Sequence, residues 1–157
     1  MKIIGRVDKA DFPELGLKNI NIKVDTGAYT SSIHSHHIKE VEHNGEKHIE
    51  FIVLDPSYPK FKDKVFKVKN YKEKSIKSSF GNIEKRFIIK TNIVVFEQTY
   101  QIELSLSKRS EMRYPILLGR KFLNKKFMVN TTQKNLSFKQ KMEQKKLTEI
   151  QNTKSQI

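Results

Sequence analysis

The stretch Lys23-Val24-Asp25-Thr26-Gly27-Ala28-Tyr29-Thr30-Ser31 indicates the fold of this chain. It continues residues 20–24, where apolar and polar side chains alternate as in a half-buried β-strand. Such a strand holds the carboxylate of Asp25 at the edge of the core. Gly27 allows a sharp turn and lets its backbone N–H approach that carboxylate, and the small side chain of Ala28 leaves space beside it. The stretch therefore predicts a loop that presents one aspartate.

Outside this loop, the sequence shows short strand patterns separated by turn signals. Asn44-Gly45 between two of them predicts a hairpin, because both turn positions require positive φ angles. Residues 55–75 are rich in lysine and predict an exposed loop or ragged edge strands. The predicted strands cover residues 3–7, 20–24, 40–42, 48–54, 87–89, 93–96, 100–106 and 115–118, with a helical turn at 120–123 and a closing hairpin of 127–129 and 136–138.

This pattern predicts an all-β barrel or sandwich. The chain has 157 residues, which suits one domain, and we expect that domain to cover residues 1–138. Residues 139–157, rich in lysine and glutamine, predict a tail that is either helical or disordered.

Composition narrows the classes of function. The sequence has no cysteine, which excludes disulfides, thiolate metal sites and a cysteine nucleophile. It also has no apolar stretch as long as a signal peptide or a membrane span, so we expect a cytoplasmic protein without a membrane partner. The net charge of +14 attracts polyanions, but lysine far outnumbers arginine, the residue that base-reading sites favour. The charge therefore supports only nonspecific attraction of nucleic acid.

Further blocks of sequence accompany the Asp25 loop. An apolar run that ends in glycine and arginine, Leu117-Leu118-Gly119-Arg120, comes late in the chain. The other blocks are Phe12–Leu17, Ser31–His34, Ser79-Phe80-Gly81 with Glu84 and Arg86, and Leu106–Pro115. Taken together, they resemble the bacterial retropepsin-like aspartic endopeptidases that are commonly labelled "ATP-dependent zinc proteases" and linked with RimK-type ligases. The resemblance extends over residues 3–130.

This resemblance implies a retropepsin-like acid-protease barrel with Asp25 as the catalytic residue. In that fold the late apolar run crosses behind the catalytic loop and supports it. The implied supporting residues are Thr26, Gly27, Ala28 and Ser31 in the loop and Leu117, Leu118, Gly119 and Arg120 behind it. For Arg120, a structural ion pair or a dimer contact is expected.

The chemistry of this class requires two carboxylates that share one proton, since two like charges in contact cannot both be ionised. The ionised member takes a proton from water, and the protonated member polarises the scissile carbonyl. Of the five aspartates, only Asp25 is followed by Thr-Gly. The second carboxylate must then be Asp25 of another copy, which predicts a C2 homodimer that hydrolyses a peptide or protein substrate. The Thr26 hydroxyl could hydrogen-bond across that interface.

Retropepsins also close a glycine-containing hairpin over the substrate. Ser79, Phe80 and Gly81 occupy the corresponding place in chain order and form the candidate flap, with Asn44-Gly45 as the rival. An ordinary hairpin turn explains the same residues equally well.

The sequence supports neither a metal nor a nucleotide. All five histidines lie between residues 34 and 48, without a His-Glu-x-x-His pattern, and we interpret them as surface or near-site residues. The chain also lacks a glycine-rich phosphate loop. We therefore expect no cofactor and no metal site.

Two other functions remain open. The chain could keep the fold as a binding protein without activity, which a monomeric state would favour. It could also be a basic β-barrel that binds nucleic acid, which aromatic-dependent binding to single strands would support.

Overall fold

The computed structural model describes residues 1–77, 80–108 and 113–155 of the chain. These residues form eleven β-strands, two α-helices and a 3₁₀ turn at Pro13–Leu15. The strands are β1 (Lys2–Ile4), β2 (Val7–Phe12), β3 (Leu17–Val24), β4 (Ser31–His43), β5 (Glu46–Val53), β6 (Phe66–Val68), β7 (Tyr71–Lys77), β8 (Ile83–Val95), β9 (Gln98–Ser107), β10 (Ile116–Leu118) and β11 (Phe127–Val129). The helices are α1 (Arg120–Leu123) and α2 (Leu136–Ser155).

Six strands close into a barrel in the order β10, β3, β2, β8, β9, β4, and pairing of β4 with β10 completes the ring. This confirms the predicted all-β barrel. Strands β5 and β6 extend the sheet from β4, and β7 pairs with β8 outside the ring. Strands β1 and β11 form a separate parallel pair.

The barrel interior is filled by the apolar faces that strand alternation predicts. In β3 these residues are Ile20, Ile22 and Val24, and in β9 they are Ile102, Leu104 and Leu106, all of them buried. Strand β10 differs, because all three of its residues are buried. It lies between β3 and β4 and has a strand on each side.

Several predicted strands are confirmed and some have different limits. The Asn44-Gly45 hairpin joins β4 to β5, with φ angles of 53° and 79°. Residues 87–89 and 93–95 belong to one strand, β8, because its pairing with β9 is continuous from Ile88 to Val95, and Phe96 lies in the turn that follows. The single strand expected over residues 3–7 is instead divided between β1 and β2. A Cβ at Gly5, between these two strands, would come within 2.3 Å of the Gln133 carbonyl oxygen, so only glycine fits at this position.

The predicted closing hairpin is wrong. Strand β11 pairs in parallel with β1, and residues 136–138 begin α2 rather than form a strand. The buried carboxylate of Asp8 accepts the backbone N–H groups of Ser137 and Phe138 at 2.8 and 3.0 Å. These bonds satisfy N–H groups in the first turn of α2, which have no partner inside the helix. Burial raises the pKa of Asp8 despite these donors.

Of the two states expected for the tail, the structure describes a helix as far as Ser155. The boundary at residue 138 lies inside this helix, and the division of the chain into 1–138 and 139–157 stays a prediction. Neither described helix combines the length and the apolar character that a membrane span requires.

Ser137 provides a test of how α2 is held on the barrel. Its buried hydroxyl oxygen accepts the Phe96 N–H at 2.8 Å. The Ser137→Ala variant leaves that N–H without an acceptor, and we expect it to lower the free energy of unfolding by about 1–3 kcal/mol. Urea denaturation measures the change. Thr148→Ala, on the exposed part of the same helix, is the control and should differ from wild type by less than about 0.5 kcal/mol.

Candidate active site

The Asp25 loop connects β3 to β4 and is held by its own backbone. The N–H of Gly27 donates to Asp25 Oδ1 at 3.0 Å, and the N–H of Ala28 donates to the Asp25 carbonyl oxygen at 3.2 Å. Gly27 does not adopt a left-handed φ, and a Cβ at this position would contact only Asp25 Oδ1, at 3.3 Å. The Asp25 side chain is half-buried, so the carboxylate is both oriented and accessible.

Strand β10 supports this loop from behind, as the resemblance implied. The N–H of Asp25 donates to the Leu118 carbonyl oxygen at 2.9 Å. The N–H of Gly119 donates to the buried Ser31 hydroxyl oxygen, also at 2.9 Å. A Cβ at Gly119 would lie 2.5 Å from the Tyr29 carbonyl oxygen, so only glycine permits this contact.

Arg120 spans the loop with both its backbone and its side chain. Its N–H donates to the Ala28 carbonyl oxygen at 2.9 Å, and Nη1 donates to the Thr26 carbonyl oxygen at 2.8 Å. The guanidinium also lies over the exposed ring of Tyr29, 5.7 Å from its centre. Within the described residues Arg120 has no carboxylate partner, so the intrachain ion pair expected for it is replaced by bonds to loop carbonyls.

The candidate flap is the tip of the β7–β8 hairpin. Strand β8 begins to pair with β9 at Ile88. Among the described strands, residues 83–87 of β8 therefore pair only with β7. At the tip, Phe80 is 91% exposed and Gly81 has a φ of 84°. Ser79 lies outside the described residues. The rival Asn44-Gly45 is also a hairpin turn, and the flap assignment stays a prediction.

Arg86 and Arg109 belong to two of the sequence blocks that carry the resemblance. Arg86 Nη2 lies 3.8 Å from Glu84 Oε2. Its Nε is buried without a hydrogen-bond partner in the described part of the chain. Arg109 lies outside the described residues.

Glu103, which the sequence did not single out, joins β7 to the Asp25 loop. Its carboxylate lies 2.9 Å from Lys72 Nζ in β7 and 2.5 Å from Lys121 Nζ in α1. The N–H of Lys121 in turn donates to the Tyr29 carbonyl oxygen. Hydrogen bonds from Lys121 and then Lys72 lower the pKa of Glu103. The alternation of apolar and polar residues in β9 puts Glu103 on the face opposite Ile102 and Leu104. No local pattern in the sequence predicts which lysines contact it.

Of the two positions expected for the histidines, surface or near-site, the structure excludes the surface for His34. It is 1% exposed, and its Nε2 lies 2.7 Å from Asp55 Oδ2. Asp55 Oδ1 accepts both the hydroxyl and the backbone N–H of Ser57. These bonds, led by the Ser57 hydroxyl, lower the pKa of Asp55. Among the described residues, no three His, Cys, Asp or Glu side chains cluster as metal ligands would.

The family model described as "RimB-like: Retropepsin-like aspartic endopeptidase RimB" matches residues 3–140. The chain belongs to the RimB-like family. The predicted resemblance and the retropepsin-like fold class are thereby confirmed.

Relatives of this RimB-like chain include two named "Probable alpha-L-glutamate ligase". The protein from Desulfotalea psychrophila is 36% identical over 133 residues, which cover 82% of this chain and 28% of the relative. The one from Shewanella halifaxensis is 36% identical over 132 residues, covering 83% and 29%. The chain thus spans less than a third of the length of these relatives.

A solved structure has a similar fold. The crystal structure of Lpg0085 from Legionella pneumophila, a protein described as of unknown function, matches with a TM-score of 0.68 and 27% identity. The match covers 87% of the RimB-like chain and 98% of Lpg0085. The family assignment and this match agree on the fold, and neither measures an activity.

Gly119→Ala tests how closely β10 must approach the loop. The added Cβ would overlap the Tyr29 backbone, and we expect a loss of about 1–3 kcal/mol in the free energy of unfolding. Gly27→Ala is the matched control, since its Cβ would lie 3.3 Å from Asp25 Oδ1 and meet no backbone atom outside its neighbours. Its stability should stay within about 1 kcal/mol of wild type. Equal losses in urea denaturation would contradict this explanation.

Asp55→Asn tests the anchoring of His34. In the folded state the pKa of Asp55 is lower than its ordinary value of 3.8. The ionised carboxylate therefore stabilises the fold fully above pH 3.8, and this stabilisation is lost as the pH falls through the folded-state pKa. We expect the variant to lose about 1–3 kcal/mol at pH 7, because a charged hydrogen-bond partner is removed from a buried histidine. The difference from wild type should shrink below pH 4. Denaturation at pH 7 and pH 3 measures it, with Asp63→Asn as the exposed control.

Proposed function

We propose that this chain is an aspartic endopeptidase that acts as a homodimer, with Asp25 of each subunit at a shared two-fold axis. The observation that carries the proposal is the Asp25 loop itself. One half-buried carboxylate is oriented by the Gly27 N–H, and the loop is supported by β10 and Arg120. A single loop supplies half of a dyad, and a second copy supplies the other half.

The remaining aspartates support the need for a second copy. Asp8 accepts hydrogen bonds from α2, Asp11 lies 3.0 Å from Lys141 Nζ, and Asp55 contacts His34. These three carboxylates hold the fold together within the subunit. Asp63 lies in an exposed segment before β6. None of the four follows a strand with a Thr-Gly turn behind it, so none matches Asp25 as a dyad member.

The proposed reaction is general acid–base hydrolysis. The ionised Asp25 accepts a proton from water while the protonated Asp25 of the partner subunit donates one to the carbonyl oxygen, and the new C–O bond gives a tetrahedral diol. Collapse of the diol breaks the C–N bond, and the amine leaves with a proton from the dyad. The β7–β8 hairpin with Phe80 and Gly81 is the proposed flap. Glu103 would connect movement of that hairpin to the loop through Lys72 and Lys121.

For the substrate, we propose a peptide that contains glutamate residues. Relatives of the chain are named as glutamate ligases, and an enzyme that forms glutamate linkages has a natural counterpart in one that hydrolyses them. The net charge of +14 also favours association with acidic chains.

The dyad is tested first with Asp25→Asn, which keeps the size of the side chain but cannot accept the water proton. We expect cleavage to fall at least about 1,000-fold, with an unchanged unfolding midpoint, because both carboxylates of the shared site are lost. Asp63→Asn is the matched control and should keep full activity. Undiminished cleavage by the Asp25→Asn variant would contradict the proposed mechanism. A wild-type chain that stays monomeric would instead favour a binding protein without activity.

Mixing the two chains tests whether both copies contribute. Excess Asp25→Asn chain should suppress wild-type activity in step with the fraction of mixed dimers, because each mixed dimer has one carboxylate too few. Specific activity should also rise with protein concentration. If activity falls only in proportion to the dilution of the wild-type chain, each chain works alone.

A matched peptide pair tests the substrate class. We expect a peptide containing a run of glutamates to be cleaved at least about 10-fold more efficiently, by kcat/KM, than its glutamine counterpart, with the advantage shrinking as salt rises. Equal cleavage of both peptides would reject the acidic substrate but leave the dyad intact.

A further inference from the structure

A groove of about 640 Å³ opens on the outer wall of the barrel, away from the polar contacts of the Asp25 loop. One side of its lining comes from β2 and β3, and the rest comes from the segment after β5 and the segment before β10. The lining residues are Lys9, Asn19, Ile20, Asn21, Ser57, Tyr58, Pro59, Lys60, Arg113 and Pro115. Its size is within the range of about 300–1,000 Å³ that is usual for ligand sites.

The charge of this groove is one-sided. Lys9, Lys60 and Arg113 line it, and among the described lining residues there is no carboxylate. Within the described residues none of these three cations forms an ion pair. Elsewhere on the surface, Lys72, Lys121 and Lys141 each lie within 3 Å of a carboxylate. The groove therefore gathers three cations that form no ion pair with the described residues, which favours an anion. The carboxylates that bond to its lining, Asp11 to Asn19 and Asp55 to Ser57, are engaged by Lys141 and His34 respectively.

His34 holds the two sides of the groove in place. Its side chain contacts Asp55, where the segment that carries Ser57 to Lys60 begins. Its backbone N–H donates to the Pro115 carbonyl oxygen at 2.8 Å, on the segment that carries Arg113. A buried residue thus fixes both segments to β4, and the groove is part of the folded frame rather than a gap between loose loops.

The neutral lining residues indicate which anion fits. Two asparagine amides on β3 can hydrogen-bond the edges of bases, and Asn19 is already oriented, because its Oδ1 accepts Lys141 Nζ at 2.7 Å. Tyr58 adds a half-buried aromatic ring that contacts the ring of His34, with 5.7 Å between ring centres. Cations beside an aromatic ring and amides are the combination with which proteins bind unpaired nucleotides, since every base has a face that stacks. An acidic peptide would use the cations and the amides but would bring no base to stack on the ring of Tyr58.

We propose that this groove binds single-stranded nucleic acid, with Lys9, Lys60 and Arg113 contacting phosphates and Tyr58 stacking on a base. This goes beyond the nonspecific attraction expected from net charge, because it assigns the binding to one place. It does not depend on the proposed peptidase activity.

The experiment measures fluorescence anisotropy of a labelled 12-nucleotide RNA of mixed sequence with the full-length chain. The groove variant is the double substitution Lys60→Gln and Arg113→Gln. Its matched control, Lys145→Gln with Lys146→Gln on the exposed part of α2, removes the same net charge. We expect the groove variant to bind at least about 10-fold more weakly, and to lose about 1.4 from the slope of log K against log salt, as two fewer phosphate contacts require. The control should change affinity by less than about two-fold.

The aromatic contact is tested separately at Tyr58. Tyr58→Leu should weaken RNA binding by about five-fold or more, while Tyr58→Phe, which keeps the ring, should bind as wild type does. Unfolding midpoints of all variants are compared first. Asp25→Asn should bind RNA like wild type, so a failed peptidase assay leaves this proposal untouched.

Two outcomes would overturn the proposal. Equal losses in the groove and control double variants would mean that RNA responds only to net charge. If a 12-residue poly-L-glutamate loses affinity in the groove variant while the RNA does not, the groove is a site for acidic peptides instead.

Discussion

The hydrogen bond from the Asp25 N–H to the Leu118 carbonyl oxygen joins the loop to the strand that closes the barrel. Strand β10 has only three residues, yet it pairs with β3 in parallel and with β4 in the antiparallel sense. Without it the ring would open between the two strands on either side of the loop. Closure of the barrel and orientation of the carboxylate are therefore achieved by the same short segment. Close approach at Gly119 is the steric condition for both.

Buried polar groups in the barrel wall attach other elements to the barrel. His34 connects β4 to the segments on both sides of the groove, and Asp8 attaches α2 to β2. Each is buried, and each is satisfied by partners distant in sequence, as buried polar groups in folded proteins generally are. Such contacts specify one arrangement of the segments that apolar packing alone would leave less defined. They also divide the aspartates by role, because the carboxylates used for structure have partners within the subunit and Asp25 keeps an accessible face.

The sites of the two proposed activities lie on separate parts of the barrel. The Asp25 loop lies at the end of β3, whereas the groove lies along the outer faces of β2 and β3. Pro115 begins the segment that continues into β10, so the groove wall and the support of the loop are neighbours along the chain. The longer relatives carry a similar region within a larger protein.

The resemblance to a known family supplied the choice of a closed barrel and the supporting role of the run at Leu117–Arg120. Local patterns in the sequence were enough for most of the strands, the Asn44-Gly45 turn and the Asp25 loop. Each depends on neighbouring residues, because alternation, turn chemistry and glycine placement act over a few positions. The sequence also determined that one chain supplies a single Asp-Thr-Gly loop. Tertiary structure alone decided that residues 136–138 begin a helix, that His34 is buried against Asp55, and that Glu103 meets Lys72 and Lys121. The physical reason is that burial and ion pairing depend on residues brought together by the closed ring, and their separation along the chain carries no local signal.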